Sequence, residues 1–170
     1  KQWRDFNGVD QLQKLVYSIN SNPDSRRLIV SAWAPHELND MALPPCHYAF
    51  QVYINNGVID LMWQQRSADV FLGLPYDITM YGLLLEMLAK GAGLRAGQLI
   101  GQLGDCHLYN NHLDQAKEYR RRSKKALPFL QLQKGIDLEM FNVRIPQADE
   151  IELINYNPYP AIKAELSVGK

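Results

Sequence analysis

Hydrophobic and polar positions in the first third of the chain predict a helix followed by a hairpin. Val9 to Asn20 carries apolar side chains at intervals of three and four, the spacing of a helix with one buried face. Asn55-Asn56-Gly57 is a strong turn signal, because Asn and Gly tolerate the positive φ of a tight hairpin. The flanking residues predict the two arms as strands, at His47 to Ile54 and at Val58 to Gln65.

Two more helical patterns follow in the remainder of the chain. Ile78 to Lys90 is apolar on nearly every side, which predicts a buried helix that begins after the breaker cluster Leu72 to Pro75. Asn110 to Arg122 is amphipathic, with its basic residues at the C-terminal end, where they suit the helix dipole. Shorter strands are predicted at Leu28–Val30, Gln98–Leu103, Phe129–Gln133 and Glu150–Tyr156, and a loop at Ala34–Pro45. The predicted class is α+β, a single sheet-centred domain over residues 1–170.

Composition and charge exclude several classes of protein. Of 170 residues, 46% are hydrophobic, and 18 basic side chains balance 18 acidic ones. A net charge of zero argues against a nucleic-acid surface, and the run Arg120 to Lys125 is more often a solvated helix face. No apolar run reaches the roughly 18 residues that cross a bilayer. We therefore expect a cytoplasmic protein with free thiols that binds neither nucleic acid nor membranes.

Cys46, within Pro44-Pro45-Cys46-His47, is the strongest candidate for a nucleophile. A catalytic thiolate needs a nearby cation or histidine. His47 alone is a weak argument, because neighbours along a strand point to opposite faces. Arg26, Arg27 and Arg66 are possible activators that spacing alone does not place. The alternative is that Cys46 is only a small buried hydrophobe.

Two arginine segments predict anion binding. Arg66-Ser67-Ala68-Asp69 combines a guanidinium, a hydroxyl and a carboxylate at a strand end, and Arg26-Arg27 is a second candidate. The alternative for the first segment is a solvated turn with a surface ion pair. With zero net charge, these segments suit a small anion such as a phosphate better than a nucleic acid.

A third candidate segment is Asp105-Cys106-His107-Leu108-Tyr109, in which His107 and Tyr109 lie on the same side of an extended stretch. The pattern alone favours core side chains with satisfied hydrogen bonds. These residues and His112 match no common zinc spacing, so no metal site is predicted.

Together, in this order and at this spacing, the segments closely resemble the thymidylate synthase family. The resemblance covers essentially all 170 residues and is weakest between about Glu118 and Ile151. The matching motifs are Pro45–His47, Gln65–Asp69, Leu72–Tyr76 and Gly104–Tyr109, with further matches at Pro23–Arg27 and Tyr156–Lys163.

The resemblance implies a homodimer with shared active sites that transfers a one-carbon unit from 5,10-methylenetetrahydrofolate to C5 of a deoxypyrimidine 5′-monophosphate, through an adduct between Cys46 and C6. It implies the catalytic residues Cys46, Arg66 and Asp69. It implies that the nucleotide is bound by Arg26, Arg27, Gln65, Arg66, Ser67, Asp69, Asp77, His107 and Tyr109, with Arg26 and Arg27 reaching the partner subunit's site. The implied folate-binding residues are His47, Asp69, Leu72, Gly73 and Tyr76.

Asp77 departs from the thymidylate-forming members of the family, which carry Asn at this position. Cytosine presents a donor and an acceptor where uracil presents an acceptor and a donor, and a protonated Asp can satisfy the reversed pattern, whereas an ionised Asp would lie against uracil O4. Asp77 therefore favours dCMP as acceptor and resembles the deoxycytidylate hydroxymethylase branch, with either a methyl or a hydroxymethyl product. The alternatives are conversion of dUMP to dTMP, with Asp77 only capping a helix that begins at Ile78, and a non-catalytic nucleotide-binding protein.

The two ends of the chain also depart from the family pattern. Family members have a further N-terminal stretch with a phosphate-binding Arg, a catalytic Glu and a Trp, so residues 1–170 by themselves are expected to lack catalytic parts. The C-terminal segment is expected to close over the ligands. It ends Leu166 to Lys170, past the family's usual apolar terminus.

Overall fold

The computed structural model of the chain describes residues 8–133, 138 and 146–167, and it has the predicted α+β class. Its helices are α1 (Gln11–Ser21), α2 (Leu74–Gly91) and α3 (Leu113–Arg121). Its strands are β1 (Ile29–Ser31), β2 (His47–Asn55), β3 (Val58–Asp69), β4 (Arg95–His107), β5 (Phe129–Leu132) and β6 (Ile151–Ile154). Short 3₁₀ helices lie at Pro35–Asp40, Asn110–His112 and Ala148–Glu150.

A four-stranded sheet in the order β1-β2-β3-β4 forms the centre of the fold, and β5 and β6 pair in a separate antiparallel ribbon. The β2–β3 hairpin is confirmed, with Asn56 and Gly57 at φ values of 49° and 74°. Strand β4 pairs with β3 in parallel, with α2 in the connection between them. A parallel pair needs such a crossover, because its strands run in the same direction.

Helices α1 and α2 bury one face of this sheet. Alternate residues of β3, from Ile59 through Leu61 and Trp63, point into the core, as period-2 burial requires. From α1 the core receives Leu15, Val16 and Ile19, and from α2 it receives Tyr81, Leu85 and Leu88. The predicted burial of α2 on every side is wrong: Ile78 and Met80 are 46% and 45% exposed, so α2 buries one side only.

The limits of three elements near the predicted site residues differ from the predicted ones, two because of strand pairing and one because a helix tolerates proline in its first turn. Strand β3 continues past Gln65 to Asp69, and β4 spans Arg95–His107 rather than Gln98–Leu103, because the two strands pair along their length. Helix α2 begins at Leu74, with Pro75 in its first turn, where a missing N–H costs no hydrogen bond. The segments Arg66–Asp69 and Asp105–His107 are therefore strand residues.

Candidate active site

Most of the predicted site residues meet at one edge of the sheet. This edge is formed by the end of β3, the end of β4, the start of β2 and the first turn of α2. The antiparallel hairpin pairs His47 with Gln65, and the parallel pair sets Asp69 beside His107. Segments that are distant in sequence come together here because parallel strands end at the same edge and the antiparallel strand begins there.

Arg66 forms hydrogen bonds with the loop that carries Cys46. Its Nε donates to the Pro45 carbonyl at 3.1 Å and its Nη2 to the Pro44 carbonyl at 2.8 Å. The same Nη2 lies 4.0 Å from the half-buried Cys46 Sγ, and the Arg66 backbone N–H donates to the Cys46 carbonyl at 2.8 Å. The guanidinium is therefore held beside a partly accessible sulfur. Among the three arginines considered, the structure places Arg66 at the thiol.

The guanidinium keeps donors for a second partner. Arginine has five N–H groups, and Arg66 gives two of them to the proline carbonyls. Strand β4 passes close to Arg66 at Gly104, where a Cβ would lie 2.8 Å from the Arg66 carbonyl oxygen. The arginine is thus held by its own neighbours, and its remaining donors can bind an anion without rearrangement.

Gln65 has a fully satisfied amide in the core, and it is only 4% exposed. Its Oε1 accepts a hydrogen bond of 3.1 Å from the Trp63 indole N–H. Its Nε2 donates to the Ser67 carbonyl at 2.9 Å and to Asp77 Oδ2 at 2.8 Å. Gln65 therefore connects β3 to the first turn of α2.

Asp77 is not the N-cap of α2, so the predicted capping role of Asp77 is wrong, whichever nucleotide is the acceptor. The N-cap position is Gly73, and Asp77 lies inside the first turn. One carboxylate oxygen of Asp77 accepts from the buried Gln65 amide, and the residue as a whole is half-buried. Through Gln65 this side chain is linked to the end of β3, where the next residue, Arg66, bonds by its backbone N–H to the Cys46 carbonyl just before β2.

Tyr81 organises the aromatic part of the site, one helical turn after Asp77. A hydrogen bond of 3.0 Å joins its hydroxyl to His47 Nδ1, and its ring stacks on Trp63 with centroids 5.3 Å apart. Burial raises the pKa of the Tyr81 hydroxyl well above its usual range, and the Asp77 carboxylate adds to the shift. Tyr81 therefore stays neutral and keeps its hydrogen-bonding proton.

Asp69 shapes the loop that leads into α2. Its Oδ1 accepts from the backbone N–H groups of Phe71 and Leu72 at 3.0 and 3.2 Å, and its carbonyl accepts from Gly73. A Cβ on Gly73 would lie 3.3 Å from that carbonyl, so the approach is tight. Three residues after Gly73, in the first turn of α2, the Tyr76 side chain is 77% exposed. The structure groups Asp69, Leu72 and Gly73 and leaves the Tyr76 ring accessible.

His107 and Tyr109 lie side by side, as predicted, with ring centroids 4.9 Å apart. The Tyr109 ring also contacts His112, which is fully buried. His112 Nε2 lies 2.7 Å from the Glu165 carbonyl, so this nitrogen carries the hydrogen. The C-terminal segment is thereby joined to the sheet edge that carries His107. In the described part of the chain, His112 Nδ1 is buried without a hydrogen-bond partner.

Arg26 and Arg27 do not join this cluster. Both are exposed in the turn before β1. Within the described residues, no hydrogen bond or ion pair links either guanidinium to Cys46 or Arg66. Their predicted role across a subunit interface remains a prediction.

The residues of this edge place a cysteine thiol beside a fixed cation, flanked by polar groups that suit an anionic, hydrogen-bonding substrate. Over the described ranges, no group of three His, Cys, Asp or Glu side chains is placed to hold a metal, and no helix is long and apolar enough to cross a membrane.

Comparison with known proteins agrees with this class of site. A family model described as thymidylate synthase matches residues 1–168, and the chain belongs to the thymidylate synthase family. It is 48% identical over 168 residues to thymidylate synthase of Mycoplasma mobile and 46% identical to that of Mycoplasma pneumoniae. It is also 46% identical to a probable thymidylate synthase of Escherichia phage T5. The matches cover 98–99% of this chain but 57–60% of the relatives' lengths.

Sequence reasoning missed Trp63, Tyr81 and the buried role of His112. Trp63 and Tyr81 occur in apolar patterns that look like ordinary core. The polar group of each side chain could have indicated a role in the site, because a buried Trp N–H or Tyr hydroxyl needs a hydrogen-bond partner. For His112, the sequence pattern gives no indication beyond the metal spacing that it fails to match.

Proposed function

We propose that the full-length protein transfers a one-carbon unit from 5,10-methylenetetrahydrofolate to C5 of dUMP, the reaction that forms dTMP. The observation that carries the proposal is the pair of hydrogen bonds from Arg66 to the Pro44 and Pro45 carbonyls, which holds a cation beside the half-buried Cys46 thiol. The relatives with 46–48% identity are named thymidylate synthase, which supports dUMP as the acceptor. Because the chain spans less than two thirds of their length, the activity is proposed for the full protein.

The reaction needs a nucleophile at this position because C5 of a pyrimidine is a poor nucleophile by itself. Addition of the Cys46 thiolate to C6 moves the electrons of the C5–C6 double bond towards the C4 carbonyl, so C5 can bond to the one-carbon unit. Loss of the C5 proton breaks the bond between the one-carbon unit and the folate nitrogen and leaves an exocyclic methylene at C5. Hydride from the tetrahydrofolate then reduces this methylene to a methyl group as the thiolate departs, which restores the C5–C6 double bond and releases dihydrofolate. Methyl formation also requires that water is excluded.

The surrounding residues suit the parts of a nucleotide. In this proposal, Arg66 and Ser67 bind the phosphate and the neighbouring pair His107 and Tyr109 binds the deoxyribose hydroxyl. Asp69 contacts base and folate. The folate lies along the loop and first turn before α2, in contact with His47, Leu72, Gly73 and the exposed Tyr76 ring.

The second candidate acceptor is dCMP, and Asp77 is the observation that favours it. A carboxylate whose Oδ2 already accepts from Gln65 offers its other oxygen to the base. A protonated carboxyl accepts from the cytosine amino group and donates to cytosine N3, whereas an ionised oxygen opposes the uracil O4 carbonyl. The product is then methylated or hydroxymethylated deoxycytidylate.

The proposal is tested by incubating the full-length protein with labelled methylenetetrahydrofolate and either dUMP or dCMP, and by identifying the product by mass spectrometry. Labelled dTMP supports the first candidate, and labelled 5-methyl or 5-hydroxymethyl dCMP supports the second. Binding of a nucleotide with no labelled product would show the non-catalytic alternative to be correct.

We further propose that two copies of the chain share their active sites, with Arg26 and Arg27 reaching the partner's phosphate site. Inactive full-length chains carrying Cys46→Ala are mixed with chains carrying Arg26→Ala and Arg27→Ala. Heterodimers should regain activity, at about a quarter to a half of the wild-type level, because one of their two hybrid sites has every group. Recovery is measured as dTMP formation in purified heterodimers.

The matched control replaces Arg120 and Arg121, which lie at the C-terminal end of α3. Arg120→Ala, Arg121→Ala chains should be active without any mixing. Purified heterodimers of the first pair that stay inactive would mean that Arg26 and Arg27 serve their own subunit.

A further inference from the structure

The ring of His112 lies where three parts of the candidate site meet, and it is 0% exposed. It contacts the Tyr109 ring edge-on, with centroids 5.9 Å apart and planes at 76°. It also contacts the Phe71 ring, with centroids 5.5 Å apart, in the loop between Asp69 and α2. Its Nε2 faces the Glu165 carbonyl at 2.7 Å. One buried side chain therefore touches the proposed sugar pair, the loop before α2 and the C-terminal segment, here residues 157–167.

The hydrogen bond between His112 and Glu165 has a fixed direction. A carbonyl oxygen only accepts, so Nε2 carries the hydrogen and donates it. Among the described residues, the other ring nitrogen, Nδ1, is buried without a hydrogen-bond partner. Breaking the bond to Glu165 would leave the Nε2 hydrogen unpaired in a buried place as well, which opposes release of the C-terminal segment.

Further contacts hold the C-terminal segment away from these rings. Arg122 Nη1 donates to the Pro160 carbonyl at 2.7 Å. The Ser167 hydroxyl donates to Asn111 Oδ1 at 3.0 Å, in an exposed contact. The hydrogen bond from His112 lies between these two along the segment, and it joins the segment to the rings of the site.

We propose that His112 is a positioning residue that couples docking of the C-terminal segment to binding of the nucleotide. The inference rests on the proposed function, in which Tyr109 binds the deoxyribose hydroxyl. A nucleotide that fixes Tyr109 also restricts the His112 ring packed against it, and that ring holds Glu165 through Nε2. By linkage, the nucleotide stabilises the docked segment, and the docked segment strengthens nucleotide binding by the same factor.

The test measures tryptic cleavage after the exposed Lys163 in the full-length protein, with and without dUMP well above its measured Kd. Cleavage requires the segment to leave its docked position, so its rate follows the population of the open form. In wild type, dUMP should slow this cleavage by about fivefold, a coupling at the low end for linked sites. Slower cleavage after Lys14, on the exposed side of α1, shows in the same digest that the segment opens locally.

Two substitutions separate the hydrogen bond from the ring contact. His112→Phe keeps a ring against Tyr109 but has no donor for Glu165, so cleavage should be about tenfold faster than in wild type and insensitive to dUMP. His112→Gln places an amide N–H near the position of Nε2 but has no ring. Its cleavage without nucleotide should stay within about threefold of wild type, and the effect of dUMP should be lost.

The matched control is Asn111→Ala, which removes the neighbouring exposed contact to Ser167 and leaves the ring and Nε2 of His112 in place. Its cleavage should stay within about threefold of wild type, as for other exposed contacts, and dUMP should still slow it. If the His112 variants do not fold, wild type supplies the reciprocal measurement. Protein already cleaved after Lys163 should bind dUMP about fivefold more weakly than intact protein.

The outcomes separate the inference from the proposed function. Wild type that binds dUMP but shows less than about a twofold effect on cleavage overturns the inference, because no coupling of the expected size exists. A His112→Phe variant that keeps the full effect of dUMP also overturns it, since the nucleotide then holds the segment without His112. Wild type that binds neither dUMP nor dCMP overturns the proposed function itself, and the inference with it.

Discussion

Cys46→Ser in the full-length protein is expected to lower turnover by about 10⁴-fold or more, the loss typical of removing a nucleophile. A hydroxyl in place of Sγ ionises far less readily than a thiol, and the Arg66 charge, 4.0 Å from the sulfur, does not close that gap. The nucleotide Kd should stay within a few fold of wild type, because the hydrogen bonds from Arg66 to the Pro44 and Pro45 carbonyls do not involve the sulfur. Rate and nucleotide Kd are measured on the same preparation.

The matched control is Cys106→Ser, which changes the other cysteine, an exposed one on β4. It should keep its activity within about twofold, as surface substitutions usually do. Mass spectrometry of the protein trapped during turnover should find the nucleotide on the peptide that contains Cys46. Turnover of Cys46→Ser close to wild type, or an adduct on Cys106, would remove Cys46 as the nucleophile.

Asp77→Asn is expected to move the ratio of kcat/KM for dUMP to that for dCMP towards dUMP by about 100-fold. The Asn amide can accept from Gln65 through its oxygen and donate from its nitrogen to uracil O4, whereas the Asp77 carboxylate only accepts. dUMP gains a matched contact at O4 and dCMP loses one at its amino group, and each change contributes roughly 1–3 kcal/mol in a closed site. The ratio is measured with both nucleotides competing in one assay.

Asp114→Asn is the matched control, since Asp114 also lies in the first turn of a helix, α3, and is exposed. That variant should have the wild-type ratio. If the wild type prefers dUMP and Asp77→Asn leaves this preference unchanged, Asp77 does not read the base, and dCMP is excluded as the intended acceptor.

Three parts of the candidate site are held in place by different kinds of contact. Arg66 is held by backbone carbonyls, Gln65 by buried side-chain hydrogen bonds, and Tyr109 by rings that lead to His112 and the C-terminal segment. Substitutions at these three places should therefore act separately on the three roles proposed for them, at the nucleophile, the base and the sugar.

The sequence by itself determined the hairpin and the α+β class, and it identified Cys46 as the candidate nucleophile. Asn56 and Gly57 adopt positive φ with little dependence on distant residues, and the alternation around them follows from which face is buried. The prolines before Cys46 and the order of the motifs were enough to identify the candidate thiol and the family resemblance. Each of these features is encoded within a few consecutive residues or in motif order.

Contacts between distant segments decided the rest. Pairing with β4 extended β3 to Asp69 and set Asp69 beside His107, which no local pattern specifies. The start of α2 at Leu74 placed Asp77 inside the helix and within reach of Gln65. The position of Arg66 beside the Cys46 thiol, and the hydrogen bond from Gln65 to Asp77, depend on where β2, β3 and α2 lie in space. Hydrogen bonds have a reach of about 3 Å, so these pairings exist only once the sheet and helix have assembled.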